Sequence, residues 1–112
     1  MNRDKTIIEH ILLHCSRICE LTKNLSFEEF DKNQDIKEIV CFNELQIGEL
    51  VKKLSEKIRQ DHPEVPWRKI AGMRDHIVHG YDAIQYTKVY ESAMIGTKNL
   101  EKDCKEILKG LK

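Results

Sequence analysis

A surplus of either charge is missing from this 112-residue chain: 19 Lys and Arg are matched by 19 Asp and Glu, for a formal net charge of zero. A protein that grips nucleic acid by bulk electrostatics needs a Lys or Arg for each phosphate it neutralises. That class is disfavoured, while a small local basic site is not. Long apolar runs are also missing, and no stretch approaches the roughly 20 residues of a membrane span. Beyond Met1-Asn2-Arg3-Asp4-Lys5 the chain is broken by Glu9, His10 and His14, where a signal peptide would run uninterrupted. The expected compartment is the cytoplasm, where the four Cys would be free thiols. Proline is scarce, and there is neither a low-complexity segment nor an internal repeat. What is present is 40% hydrophobic and 34% charged residues, a globular composition with a heavily charged exterior. The length fits one domain, 1–112.

Nearly every segment has helical periodicity. Between Lys5 and about Asn24, Ile7, Ile8, Ile11, Leu12, Cys15, Ile18 and Cys19 fall on one arc at about 100° per residue. Ser26 followed by Glu29 reads as a capping box for a short turn holding Phe27 and Phe30. A second long helix is predicted from about Gln34 to about Gln60, with Ile36, Val40, Ile47, Val51, Leu54 and Ile58 as its stripe. Gly48 lies in its middle at a cost of roughly 1 kcal/mol relative to Ala, which is either tolerated or reflects close approach of another helix or a ligand. The strong break is Asp61-His62-Pro63-Glu64-Val65-Pro66, with Pro66 suited to the first position of a helix running to about His79 and Gly80 as its stop. A last helical region, about Asp82 to Leu111, is expected to break near Gly96, with Thr97 capping the continuation. Nothing alternates with period two, so the fold class is all-α, an up-and-down helical bundle with short loops.

His10, His14, Cys15 and Cys19 invite a metal-site reading, but the two Cys fall inside the apolar arc and the two His at or beyond its edge. One helix cannot converge all four on an ion. Core thiols and surface imidazoles are the favoured reading. Cys41 and Cys104 are isolated and read as packing residues, and His62, in the proline loop, as solvated.

The segment Gly72-Met73-Arg74-Asp75-His76-Ile77-Val78-His79-Gly80-Tyr81 places a guanidinium, a carboxylate, two imidazoles and a phenol at one helix end. Asp75 and His79, four apart, can meet on one face, where the carboxylate would orient the imidazole. Arg74 has the fork for a bidentate grip on a phosphate. On residues alone this is either a charged helix face ending in a Gly cap or an active site.

The spacing Arg74, four residues, His79, one residue, Tyr81 resembles the signature of the HepT toxins, a branch of the HEPN superfamily. Leu45-Gln46-Ile47-Gly48-Glu49 is similar to the family's Gly-Glu turn, and Pro63-Glu64-Val65-Pro66-Trp67 to its proline–tryptophan helix start. Ile70-Ala71-Gly72-Met73-Arg74-Asp75, His79-Gly80-Tyr81-Asp82 and Phe27-Glu28-Glu29-Phe30 extend the likeness over nearly the whole chain. A departure is Tyr90 where relatives often carry Trp, for which altered local packing is expected.

The resemblance implies a metal-independent endoribonuclease with no cofactor, acting as the toxin of a toxin–antitoxin pair. It also implies a homodimer whose motifs line a shared inter-protomer cleft, and an MNT-type nucleotidyltransferase antitoxin that transfers AMP to Tyr81. Arg74 and His79 match the catalytic pair. Asp75 and, from the neighbouring helix, Glu49 are expected to support it, with His76 accessory. The substrate implied is RNA, with tRNA as one shape a neutral protein could recognise. Two other readings are a non-catalytic RNA- or nucleotide-binding HEPN module, which keeps Arg74 and His79 as phosphate ligands, and a structural partner of the nucleotidyltransferase.

Overall fold

The computed structural model describes residues 3–80 and 83–111, and every regular element among them is helical. α1 spans Arg3–Thr22, α2 Phe27–Lys32, α3 Gln34–Lys53, α4 Glu56–Asp61, α5 Trp67–Gly80 and α6 Tyr86–Glu91; a π-helical turn over Ser92–Gly96 leads into α7, Thr97–Gly110. α3 packs against both α1 and α5, and α1 also packs against α7. The stripes read from the sequence are what these contacts bury. Ile8, Ile11, Cys15 and Ile18 of α1 are fully buried, and Val40, Ile47 and Val51 of α3 join them with Leu100, Cys104 and Ile107 of α7. Each large aliphatic side chain withdrawn from water contributes roughly 1.5–3 kcal/mol. That contribution, more than helix propensity, holds helices of this length in place.

Local chemistry sets the ends. α1 is followed by Asn24 in the left-handed region (φ 59°), a conformation Asn tolerates, and the Leu25 amide donates back to the Thr22 carbonyl. The capping box is formed as expected: the Ser26 hydroxyl accepts from the Glu29 amide at 3.1 Å, and the Ser26 amide donates to Glu29 Oε1 at 2.9 Å. These bonds hold the Glu29 carboxyl below its usual range. Tyr90 packs its ring against Phe27 and Phe30 and donates its hydroxyl to the Leu25 carbonyl at 2.6 Å, fastening the α6 end of the bundle to α2.

The long helix expected from Gln34 to Gln60 is two helices. Leu54 leaves α3 with extended backbone and is itself buried. Ser55 then caps α4, its hydroxyl accepting from the Ile58 amide at 3.2 Å. Asp4 of α1 fixes the break by taking both the Ser55 amide (3.0 Å) and its hydroxyl (2.6 Å). α5 begins at Trp67, directly after Pro66, with the Pro66 carbonyl accepting from the Ile70 amide. His62 is half-buried rather than simply solvated: its ring lies 3.3 Å from Glu64, and its carbonyl accepts the Trp67 indole N–H at 3.0 Å. The expected break at Gly96 is absent too, since the backbone stays right-handed helical through Gly96 and Thr97 while the π turn absorbs the irregularity. Thr97 is buried and donates its hydroxyl across the core to Glu44, so it is not a cap.

Candidate active site at the α3–α5 contact

Gly48 explains where the site is built. A Cβ at this position would overlap Arg74 Cβ and lie 3.2 Å from Arg74 Cγ, so α3 and α5 approach this closely only because residue 48 has no side chain. The close approach is that of a helix, and Arg74 is the residue approached. The next residue, Glu49, sets a carboxylate oxygen 2.5 Å from Arg74 Nε, an ion pair without the alignment of a hydrogen bond. On its other side Arg74 Nη1 donates to Asp75 Oδ1 at 3.1 Å. The hydrogen bond to Asp75 and the charge of Glu49 both raise the guanidinium pKa above its ordinary value. Arg74 is half-buried and held on two sides, a preorganised cation rather than a freely swinging one.

Asp75 differs from expectation. Its Oδ1 accepts from Lys52 Nζ of α3 at 2.9 Å as well as from Arg74, and it does not meet His79. Hydrogen bonds from Lys52 first and Arg74 second hold the Asp75 carboxyl below the usual carboxylate range. Spacing on α5 alone favoured His79, but a cation from the neighbouring helix and the adjacent guanidinium take the carboxylate. Sequence reasoning missed Lys52, and the available signal was its place one turn beyond Glu49 on the helix that Gly48 brings against Arg74.

His79 lies in the last turn of α5 and is exposed, with no hydrogen bond to any of the described residues. It lies five positions beyond Arg74, about 140° around the helix, so the two side chains leave α5 in different directions. His76 has a structural duty: its Nε2 accepts the Gln85 amide at 3.1 Å, holding the chain before α6 against α5. A ring nitrogen that accepts carries no proton, which assigns His76 as the neutral Nδ1–H tautomer in this contact. Tyr81 lies outside the described residues.

A groove of about 880 Å³ runs between α5 and the π turn, its walls including Ile47, Ile70, Met73, Ile95 and Leu100. His76 and Glu44 line it, but Arg74, Asp75 and His79 do not. Glu44 is 5% exposed, and only its Oε1 has a hydrogen-bond partner, the Thr97 hydroxyl at 3.1 Å. Burial pushes this carboxyl up to about 7, and the nearby hydroxyls of Ser92 and Thr97 offset only part of that. Burial likewise pushes the Cys41 thiol up to about 11 and that of Cys104 to about 12, and raises Cys15 further. These are packed, unreactive thiols. His14 is tied to Asn43 at 2.7 Å.

Among the described residues, no helix is long and apolar enough to cross a membrane. The fold and site thus define an all-α bundle with a braced guanidinium and, further along the same helix and facing another way, an exposed imidazole. Residues 11–107 match the family described as ribonuclease HepT-like, and the chain belongs to that family. It is 38% identical over 108 residues to a protein named as a candidate RNase in Caldanaerobacter subterraneus subsp. tengcongensis, covering 96% of each chain. It is 36% identical over 107 residues to another so named in Methanocaldococcus jannaschii, covering 96% of this chain and 88% of the relative. A probable ribonuclease HepT of Thermococcus cleftensis is 31% identical over 90 residues, covering 79% of this chain and 80% of that one. No solved structure matches the chain significantly.

Proposed function

We propose that this chain, as one HEPN domain over residues 1–112, is a toxin that cleaves RNA with its own side chains. The observation that supports it most is the braced Arg74. A guanidinium packed on Gly48 and flanked by Glu49 and Asp75 is fixed before any substrate arrives. Fixed donors of this kind are worth roughly 3–4 kcal/mol when negative charge develops beside them. In the proposed reaction the RNA 2′-OH attacks its own phosphate. The 2′-oxygen–phosphorus bond forms, the phosphorus–5′-oxygen bond breaks, one proton leaves the 2′-OH and one reaches the departing 5′-oxygen. Arg74 neutralises the crowded phosphorane. The imidazole of His79 is the group that moves protons.

One His79 per chain cannot serve both as acceptor and as donor. A homodimer with a shared cleft answers that need by supplying a second His79. The divergence of Arg74 and His79 around α5 is in keeping with this, because one protomer presents the two groups in different directions. Glu49 and Asp75 act through Arg74 as positioning residues, and His76 holds the segment that leads away from the site. Accessible single-stranded loops, as in tRNA, are the substrate favoured by a chemistry that needs a free 2′-OH.

The same reading extends to inhibition. AMP attached to Tyr81 by an MNT-type nucleotidyltransferase would bring a phosphodiester charge and an adenine to the end of α5, where both compete with RNA. Mass spectrometry of the chain co-expressed with such a partner should find the added AMP on Tyr81, and modification elsewhere overturns that assignment. The test of the whole reading is expression of wild type and His79→Ala in the cytoplasm of a host without any partner, following growth and RNA integrity. Arrest with discrete RNA fragments in wild type only is the expected result. Intact RNA and normal growth with both proteins folded would sink the nuclease reading in favour of a non-catalytic role.

A further inference from the structure

α3 presents Gly48, Glu49 and, one turn on, Lys52 to the Arg74 end of α5. The first two are accounted for by Arg74 itself. Lys52 is not needed there for packing. Its side chain is 42% exposed, and an exposed ion pair with Asp75 adds little to stability. What the pair does accomplish is placement. Lys52 Nζ and Arg74 Nη1 sit on the same atom, Asp75 Oδ1, at 2.9 and 3.1 Å, so the two cations lie within about 6 Å of each other.

Like charges held this close repel, and the shared carboxylate oxygen is what keeps them together. Each retains unused donors. The ammonium has three N–H groups and the guanidinium five, of which Asp75 and Glu49 engage only a part. Glu49 engages Arg74 only through Nε, and with Asp75 it brings the four charges to zero, so what the group offers an anion is the unused N–H donors of two adjacent cations and not a net charge.

We propose that Lys52 is a second phosphate ligand of this site: with Arg74 it forms a two-cation clamp on a strand phosphate, and Asp75 is the positioning residue that yokes the two cations. The assignment rests on the reading of the chain as an RNA-cleaving enzyme. The clamp gives Asp75 a role unrelated to His79. It also gives a chain with no net charge two adjacent cations with donors to spare at one place on its surface.

The test uses the full chain and a fluorescent single-stranded oligonucleotide in which every ribose 2′-OH is replaced by hydrogen, so that it binds without being cut. Anisotropy titrations over a range of salt concentrations compare wild type, Lys52→Gln and Lys52→Arg, with melting curves to check folding. Lys52→Gln should weaken binding roughly tenfold, the loss of one charge-assisted contact, and reduce the slope of log affinity against log salt by about 0.7, one phosphate on a single strand. Lys52→Arg should keep the slope. On the all-ribose oligonucleotide, Lys52→Gln should raise KM with kcat little changed, which a merely structural role for Lys52 would not produce. Wild-type affinity and slope in Lys52→Gln, with wild type binding and cutting RNA, overturns the clamp alone. A folded wild type that neither binds nor cuts RNA overturns the ribonuclease reading, and the clamp with it.

Discussion

Replacing Glu44 by Gln removes a charge that the interior resists. The carboxyl is 5% exposed, its Oε2 has no hydrogen-bond partner, and burial raises its pKa from 4.5 to about 7. The native state therefore binds a proton more tightly than the unfolded chain. Glu44 contributes its full stability below pH 4.5, where both states are protonated. As pH rises, the unfolded chain ionises first and is favoured, and the contribution is gone above pH 7. A shift of this size corresponds to about 3 kcal/mol. Gln keeps an oxygen for the Thr97 hydroxyl and has no charge to desolvate.

The expected outcome is that the stability of Glu44→Gln relative to wild type rises by about 3 kcal/mol between pH 4.5 and pH 8, most of it developing before pH 7. Urea unfolding at fixed protein concentration across that range measures it. The difference between the two proteins is the quantity to follow. Glu29 and Asp75, both held below their ordinary values, act on the absolute curve in the opposite direction and cancel in the comparison. Curves that run parallel across the range would refute the reasoning, because Glu44 would then be solvated or paired when ionised.

Gly48→Ala should abolish RNA cleavage by driving a methyl into Arg74, at a stability cost of about 1–3 kcal/mol that melting would register as a partial loss against complete inactivation. Arg74→Lys should lower kcat about a hundredfold or more with the fold intact, because an ammonium cannot span Glu49 and Asp75 while presenting a fork to phosphate; near-normal kcat would show that the paired geometry is unimportant. Ser55→Ala should cost roughly 1–2 kcal/mol in chemical denaturation, since it removes the α4 cap and one of the two bonds to Asp4. Mixing inactive Arg74→Ala and His79→Ala proteins should restore activity if a site pairs Arg74 of one protomer with His79 of its partner, whereas a site built within one chain leaves the mixture inactive.

Helices whose signals are local were legible in the sequence. The Ser26–Glu29 box, the apolar arc of α1 and the stop before α5 each depend on residues within a turn or two, and each is present. The misread features depend on partners far along the chain. Ser55 ends the long helix because Asp4, 51 residues earlier, holds it. Thr97 is a core donor because Glu44 lies across the bundle, 53 residues away. Gly96 looks like a breaker, but the turn around it is π-helical and uninterrupted. Glu44 itself had a signal: it falls on the arc of Val40, Ile47 and Val51, all buried on α3. A carboxylate on that arc marks a position where charge and burial conflict.

The site was legible in its residue types more than in its pairings. Arg74, Asp75, His76 and His79 stand out on α5, but helical spacing ranks partners only within a helix, and the contacts that matter come from α3. Gly48 was the clue to that contact, a costly residue whose justification is Arg74 one helix away. Net charge was a poor guide for a related reason. A formal charge of zero describes the sum over the chain, whereas a phosphate responds to what lies within a few ångströms. Glu49, Arg74, Asp75 and Lys52 alternate in sign and sum to zero, yet their arrangement leaves two cations on one carboxylate oxygen. Neutrality over the whole chain leaves room for a local contact between these two cations and a phosphate, and it disfavours only the binding that would have been indifferent to where on the surface an RNA landed.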